Sequence, residues 1–282
     1  MTVAELPATP ESASRTRRAG RGVMWWSAAT VVVLAALVFI PGLLAPGDPY
    51  KLDIINRFTP PGAGNLFGTD DSGRDILSRV IHGARYSIGS AVLIITVAAL
   101  VGTIYGSLAA WYGGILDRLL MRTVDVFLAF PYLVFAMAVA ASMGRGLTST
   151  IVALSLLWWP SYARMIRGQV KSILNDYHIR AATTLGARRG QILRWHVIPH
   201  TYNQLLVRFT LDIGNALVAL TGLAFLGLGA TPPLPEWGRM VADSKQFALL
   251  AWWYAVFPGV VIFATVLNFV LLGEALRKRS TS

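Results

Sequence analysis

The chain has 282 residues, of which 55% are hydrophobic and only 14% charged, and its mean hydropathy is +0.55. A soluble domain carries about a quarter charged residues, so the composition excludes an ordinary soluble fold and points to a polytopic membrane protein. The formal net charge is +11, and the absence of cysteine excludes a disulfide framework or a thiolate metal site.

Residues 1–22 are rich in Thr, Ser, Ala and Pro, carry Arg15, Arg17, Arg18 and Arg21, and read as a disordered tail. The apolar run at 23–46 outlasts the roughly 7–15 residues of a cleavable signal core. It ends in "FIPGLLAPGDP", which has no small-x-small cleavage site, so it reads as a retained first transmembrane helix. Residues 47–84 form an insertion in which Pro49, Pro60, Pro61, Gly62 and Gly64 exclude regular structure. In "GTDDSGRDIL", Asp70, Asp71 or Ser72 can cap a helix and Asp75 suits its first turn. The acidic spacing there lacks the pattern of a calcium loop and predicts a surface helix, not a metal site.

Residues 86–112 and 247–273 are each 27 residues long and free of charge, more than the roughly 20 needed to cross a bilayer. Residues 126–143, 146–163 and 213–235 are shorter or interrupted by Gly and Pro, yet long enough to cross. Six spans follow, with a core over 85–275 and a basic tail over 276–282. Six spans place both termini on one side. With that side cytoplasmic, 17 of the 25 Lys and Arg residues lie inside, and the outer ones are nearly matched by acids, as the positive-inside rule requires. The basic balance therefore reports topology and contact with anionic lipid. No aromatic-interleaved basic motif suggests nucleic acid.

Three polar features interrupt this pattern. In "DRLLMRTVD", Asp117, Met121 and Asp125 lie one turn apart beside Arg118 and Arg122, and Arg122 can pair with Asp125 at i,i+3. Interfacial anchoring of a helix end is the plain reading of that cluster. Arg208 and Asp212, at i,i+4 near the start of the fifth span, read the same way. His196 and His200 are also at i,i+4, but Pro199 falls between them and no carboxylate follows, so they are not a zinc pair. Gly102, Gly106, Gly222, Gly227 and Gly229 suit close helix packing near a pore.

The longest inner loop, "RAATTLGARRGQILRWHVIPH" (180–200), reads as helix, break, helix. Asn175 or Asp176 caps a first helix in which Ile179, Ala182 and Leu185 recur at helical spacing, and Gly186 ends it. A second helix covers about 188–197, with Ile192, Trp195 and His196 on neighbouring turns, until Pro199 stops it. Ala181 and Ala182 leave a small-residue face that another surface could approach. Local pattern alone leaves open whether this is a docking surface or a solvated linker whose arginines enforce topology.

The same stretch resembles the EAA loop of ABC-importer permeases: Ala181, Ala182, Gly186, Ile198 and Pro199 fall in register, while Arg180, His196 and Ile198 depart from the usual Glu, Ile and Leu. "LFGTDDSGRDILSRVIHGAR", "WYGGILDRLLMRTVDVFLAFP", "WWPSYARMIRGQV" and "FLGLGATPPLPEWGRM" are similar, in the same order, to blocks of the dipeptide/oligopeptide/nickel permeases. The resemblance runs from about Asn65 to the C-terminus and is to the second, C-type permease subunit. It implies an all-α polytopic membrane protein with the six-helix type I ABC-importer transmembrane domain fold, a permease core with a coupling loop at about 171–199, and location in the cytoplasmic (inner) membrane.

By the same resemblance, the loop 176–197 docks on a cytoplasmic ATPase, with Asp176, Arg180, Ala181, Ala182, Gly186, Ala187, Arg188 and Pro199 as coupling residues. Asp117, Arg118, Arg122 and Asp125 become a cytoplasmic latch toward the ATPase layer. The implied partners are a second homologous permease chain, one or two ATP-binding subunits and an external substrate-binding protein. No Gly-x4-Gly-Lys-Ser/Thr motif occurs, so ATP and Mg are expected on partner chains, with no cofactor, metal or catalytic residue here. The cargo class implied is peptide, nickel or another small solute, peptide first. An ion-coupled carrier would place ionisable residues near the midplane; Asp125 and Asp212 read as lying near helix ends, which favours the importer. An intramembrane enzyme finds neither a metal dyad nor a nucleophile–base pair.

Overall fold

The computed structural model describes residues 26–27, 29–177, 179, 184–185, 189–192, 195 and 198–280. Among these residues, helices and loops account for everything except one isolated β-bridge between Thr69 and Asp75. A short apolar helix α1 (Ala29–Phe39) is followed by the single turn α2 (Pro41–Leu44), begun by a proline whose missing N–H is harmless there. The insertion then leads to α3 (Ile76–Tyr112), α4 (Gly114–Ala129), α5 (Tyr132–Met143) and α6 (Leu147–Leu174). The turn α7 (Arg189–Ile192) precedes α8 (Ile198–Phe225), α9 (Trp237–Ser244) and α10 (Trp252–Ser280).

α3 starts where Asp75 accepts a hydrogen bond from the Ser78 N–H at 2.7 Å, so Asp75 is the cap itself and the helix opens ten residues before the uncharged run. Its 37 residues extend about 55 Å, longer than a bilayer core, and Gly113, at φ +64°, ends it. α3 packs along α6. At Gly102 and Gly106 the backbones meet: a Cβ on Gly102 would strike Tyr162 and Trp159, and one on Gly106 would strike the Ala163 carbonyl. Around that seam Ile94, Ile95 and Ala98 of α3, Leu154 of α6 and Leu217 and Leu220 of α8 are wholly buried.

On α10, by contrast, Val256, Val260, Phe263, Leu267 and Val270 form an exposed apolar stripe at helical spacing. That inversion is what lipid demands. Three helices are long and apolar enough to cross a membrane, at Ile76–Tyr112, Thr201–Phe225 and Trp252–Arg279. The pair α4 and α5, bent by 89°, adds a fourth if taken as one broken span. α6 has the length, but Ser149, Thr150, Ser155, Ser161 and Arg164 dilute its apolar character, and α1 is short. Against the predicted six, three or four spans are therefore long and apolar enough to cross among the described residues.

Two predicted boundaries change. The span at 126–143 is broken at Phe130, which Pro131 forces into an extended conformation (ψ 142°). The span at 213–235 is displaced: α8 begins at Ile198 and stops at Phe225. There Gly227, at φ +86°, makes a Schellman end, with Leu228 N–H to Leu223 O at 3.0 Å and Gly227 N–H to Ala224 O at 2.9 Å. The helix also covers part of the predicted basic tail, since α10 runs through Arg277, Lys278 and Arg279.

The insertion is tied to the helices by buried polar contacts. Asp70, fully buried, accepts from Arg74 Nε at 2.7 Å and lies 3.4 Å from Arg79 Nε, while Arg79 Nη1 donates to Pro49 O at 3.2 Å. Across from them Glu236 caps α9, accepting from the N–H groups of Gly238 (2.8 Å) and Arg239 (2.7 Å) and from Ser87 Oγ (3.3 Å). Burial pushes the Glu236 carboxyl above the usual range, and those donors oppose the shift. Trp237 Nε1 donates to Val80 O at 2.8 Å, and Trp253 Nε1 to Thr69 O at 3.2 Å. The insertion, the start of α3, α9 and the start of α10 thus form one end of the molecule.

Candidate coupling site and cavity

The opposite end holds the loop between α6 and α8. α6 closes with the Asp176 N–H on Ile173 O at 3.0 Å, and helical backbone resumes at Tyr177, directly after Asp176. Beyond it, Ile179 and Ile192 are buried in a cluster with Ala110 of α3 and Ile166 and Val170 of α6, flanked by Trp111, Ile173 and Leu174. A solvated linker would not spend two isoleucines on a core. Tyr177 and Leu185 are each 88% exposed and Trp195 70%, so the loop carries large apolar side chains outward as well. Ile179 and Leu185, which recur at helical spacing in the sequence, differ in burial: Ile179 is buried and Leu185 exposed.

Of the eight predicted coupling residues, Asp176 and Pro199 are placed; Arg180, Ala181, Ala182, Gly186, Ala187 and Arg188 lie outside the described residues, as does His196. Pro199 belongs to the first turn of α8, where it needs no N–H partner, and so starts that helix.

Two of the four predicted latch residues, Asp117 and Asp125, are engaged within this chain, in an interhelical clamp with α6. α6 presents Arg164, Arg167 and Lys171 at i, i+3 and i+7, one face of a helix, and α4 lies along it. Arg167 holds Asp117 with two donors, Nε at 2.5 Å and Nη2 at 2.8 Å, and Lys171 Nζ adds a third contact at 2.5 Å. The Asp117 side chain is 7% exposed. Two turns further on, Arg164 Nη2 meets Asp125 at 2.6 Å on the surface. The expected Arg122–Asp125 pair does not form, because Arg164 takes Asp125 across the helix–helix seam. Arg118 and Arg122 are exposed and make no ion pair among the described residues. The sequence contained the missing partners as that i, i+3, i+7 basic stripe.

Between α4, α6 and α8 an open cavity of about 500 Å³ is lined by Leu128, Ser161, Arg164, Met165 and Arg208. Arg208 Nε binds Asp212 at 2.6 Å and its guanidinium lies 6.0 Å from the Tyr162 ring centre; Asp212, nearly buried, also accepts from Asn215 at 3.3 Å. Asp212 therefore stands mid-way along α8, not near its start, and Arg208 neutralises it.

Residues 102–281 match the family described as "Binding-protein-dependent transport system inner membrane component". The chain belongs to that family. It is 35% identical to the "Probable D,D-dipeptide transport system permease protein DdpC" of Escherichia coli strain K12, over 98% of this chain and 96% of that one. It is 40% identical to the glutathione transport system permease protein GsiD of Escherichia coli O6:K15:H31 strain 536, over 93% and 87%. Its fold is that of the membrane subunit in the inward-facing MetNI methionine ABC transporter, with a TM-score of 0.56, 17% identity and coverage of 72% and 97%. This permease subunit of an ABC importer is a membrane component and not itself the catalytic chain.

Proposed function

We propose that this permease forms half of the translocation pathway of an ATP-driven importer for short peptides. A second, homologous permease supplies the other half, an external binding protein delivers the cargo, and separate ATPase subunits dock on the loop 176–197. The seating of that loop supports the reading most directly. Ile179 and Ile192 fix it to the ends of α3 and α6, so a push on its outward side is transmitted to rigid helices. The outward Tyr177 and Trp195 are of the aromatic types that dominate protein interfaces, and Leu185 adds exposed apolar surface. Peptide cargo is inferred from relatives named for D,D-dipeptide and glutathione transport.

ATP binding would close the ATPase pair, carry the loop and α6 with it and open the pathway outward; hydrolysis would reset it. The drive is the difference in ATP affinity between the two states. The basic loop and the α10 terminus would face the cytoplasm, with both chain ends on the cytoplasmic side of the inner membrane.

Leu185→Asp tests the docking assignment, because this exposed side chain contributes little to the fold. The expected result is an intact pair of permeases that no longer retains ATPase subunits and loses ATP-dependent uptake. Wild-type recovery of ATPases together with wild-type uptake would refute it.

A further inference from the structure

The cavity lined by Ser161, Arg164 and Arg208 has no part in the coupling just described. Arg164 stands ten residues before the end of α6 and Arg208 ten residues after the start of α8, so both lie about 15 Å into the bundle from the loop end. Their side chains are 55% and 44% exposed. Guanidinium groups at that depth are costly against hydrocarbon and are tolerated where they line water or meet other protein.

Each arginine spends one N–H on its own carboxylate, Arg164 on Asp125 and Arg208 on Asp212. A guanidinium has five N–H donors, so several on each remain to serve a ligand. Asp125 is itself well exposed beside Arg164 and one turn before Leu128. The wall therefore offers two guanidinium forks with Leu128 and Met165 as apolar surface, and the exposed carboxylate of Asp125 stands next to it, 2.6 Å from Arg164. Such a wall fits a small zwitterion better than a simple anion, which Asp125 would repel. Resting on the peptide-permease reading above, we infer that this cavity is a transit subsite for the free ends of a short peptide: Arg164 and Arg208 receive its α-carboxylate and Asp125 its α-ammonium. Because each arginine is already paired with a carboxylate, the subsite holds its occupant weakly, as a pathway that must release cargo requires.

The chain contains no cysteine, so Ser161→Cys places its sole thiol on the cavity wall. The complete permease–ATPase complex carrying S161C, reconstituted without the external binding protein, is treated with a small water-soluble maleimide, and modification of this chain is followed. Labelling is expected, and alanyl-alanine is expected to slow it by the factor 1 + [L]/Kd, about threefold at twice Kd. N-acetyl-alanyl-alanine amide, with both ends blocked, should give no protection, and S161C/R164Q should lose the protection by the free dipeptide. Where that double variant does not assemble, S161C/R164K, which keeps the charge but loses the planar fork, should show weakened protection. An unreactive thiol, equal protection by blocked and free peptide, or protection unchanged by either Arg164 substitution would overturn the subsite. Uptake of alanyl-alanine by the same vesicles, supplied with binding protein and ATP, separates the two readings. Uptake without protection removes the subsite alone, whereas loss of both removes the peptide cargo with it.

Discussion

Gly106 shows what a single missing side chain does in this fold. A Cβ there would run into the Ala163 carbonyl, and the backbone of α6 cannot retreat without opening the seam with α3. Membrane helices lack a hydrophobic drive toward one another, so backbone approach of this kind is a main source of their packing energy. Gly106→Val is expected to lower stability by about 1–3 kcal/mol through overpacking, read as a fall in the thermal midpoint of the detergent-purified chain. Gly222 is the control: a Cβ there meets nothing within 4 Å, so Gly222→Ala should leave the midpoint at or slightly above wild type. Equal behaviour of the two variants would remove the packing role from Gly106. Both glycines look alike in the sequence. What separates them is which face meets a neighbour, and spacing does not encode that.

At the scale of elements, α4 is fastened to α6, the helix that leads into the loop 176–197, and the two fastenings differ in burial. Asp117 is almost buried and holds Arg167 through a two-pronged contact, whereas Asp125 and Arg164 are each more than half exposed. Charge-assisted bonds to a buried carboxylate contribute about 1.5–3 kcal/mol, and partial exposure of Arg167 moves the pair toward the lower end of that range. An exposed pair contributes about 0–1 kcal/mol. A double-mutant cycle of Asp117→Asn with Arg167→Gln should therefore return a larger coupling energy than Asp125→Asn with Arg164→Gln. Denaturation of the purified chain measures both; the reverse order would overturn the ranking, and no coupling at either pair would leave α4 held by its apolar face, through Val124 and Met121.

Much at this scale was legible beforehand. The uncharged runs located α3 and α10, and the Pro and Gly residues marked the insertion. α8 was misplaced because Arg208 and Asp212 look like a helix end when charge is taken as a boundary; paired at i,i+4, they cancel and the helix continues through them. The clamp partners of Asp117 were hidden for a different reason. A contact between residues 117 and 167 depends on how two helices lie together, and no local spacing reports that.

For the whole molecule, the proposed orientation rests on a difference in charge between the two ends. One end gathers the insertion, α9 and the fully exposed Leu249; the other gathers Leu185, the loop and the Arg277–Lys278–Arg279 run. Basic residues close to an anionic surface contribute about 1 kcal/mol each, and 17 of the 25 Lys and Arg residues lie in segments assigned to the loop end. Standing the chain the other way would expose that end to the outer face, against the bias that sets membrane topology. The absence of cysteine makes the orientation directly measurable. Leu249→Cys should react with a membrane-impermeant maleimide in intact cells, and Leu185→Cys should react only after permeabilisation. Both side chains are exposed, so reactivity reports side and not burial. The opposite pattern would invert the topology, and the loop could then no longer face ATPase subunits in the cytoplasm.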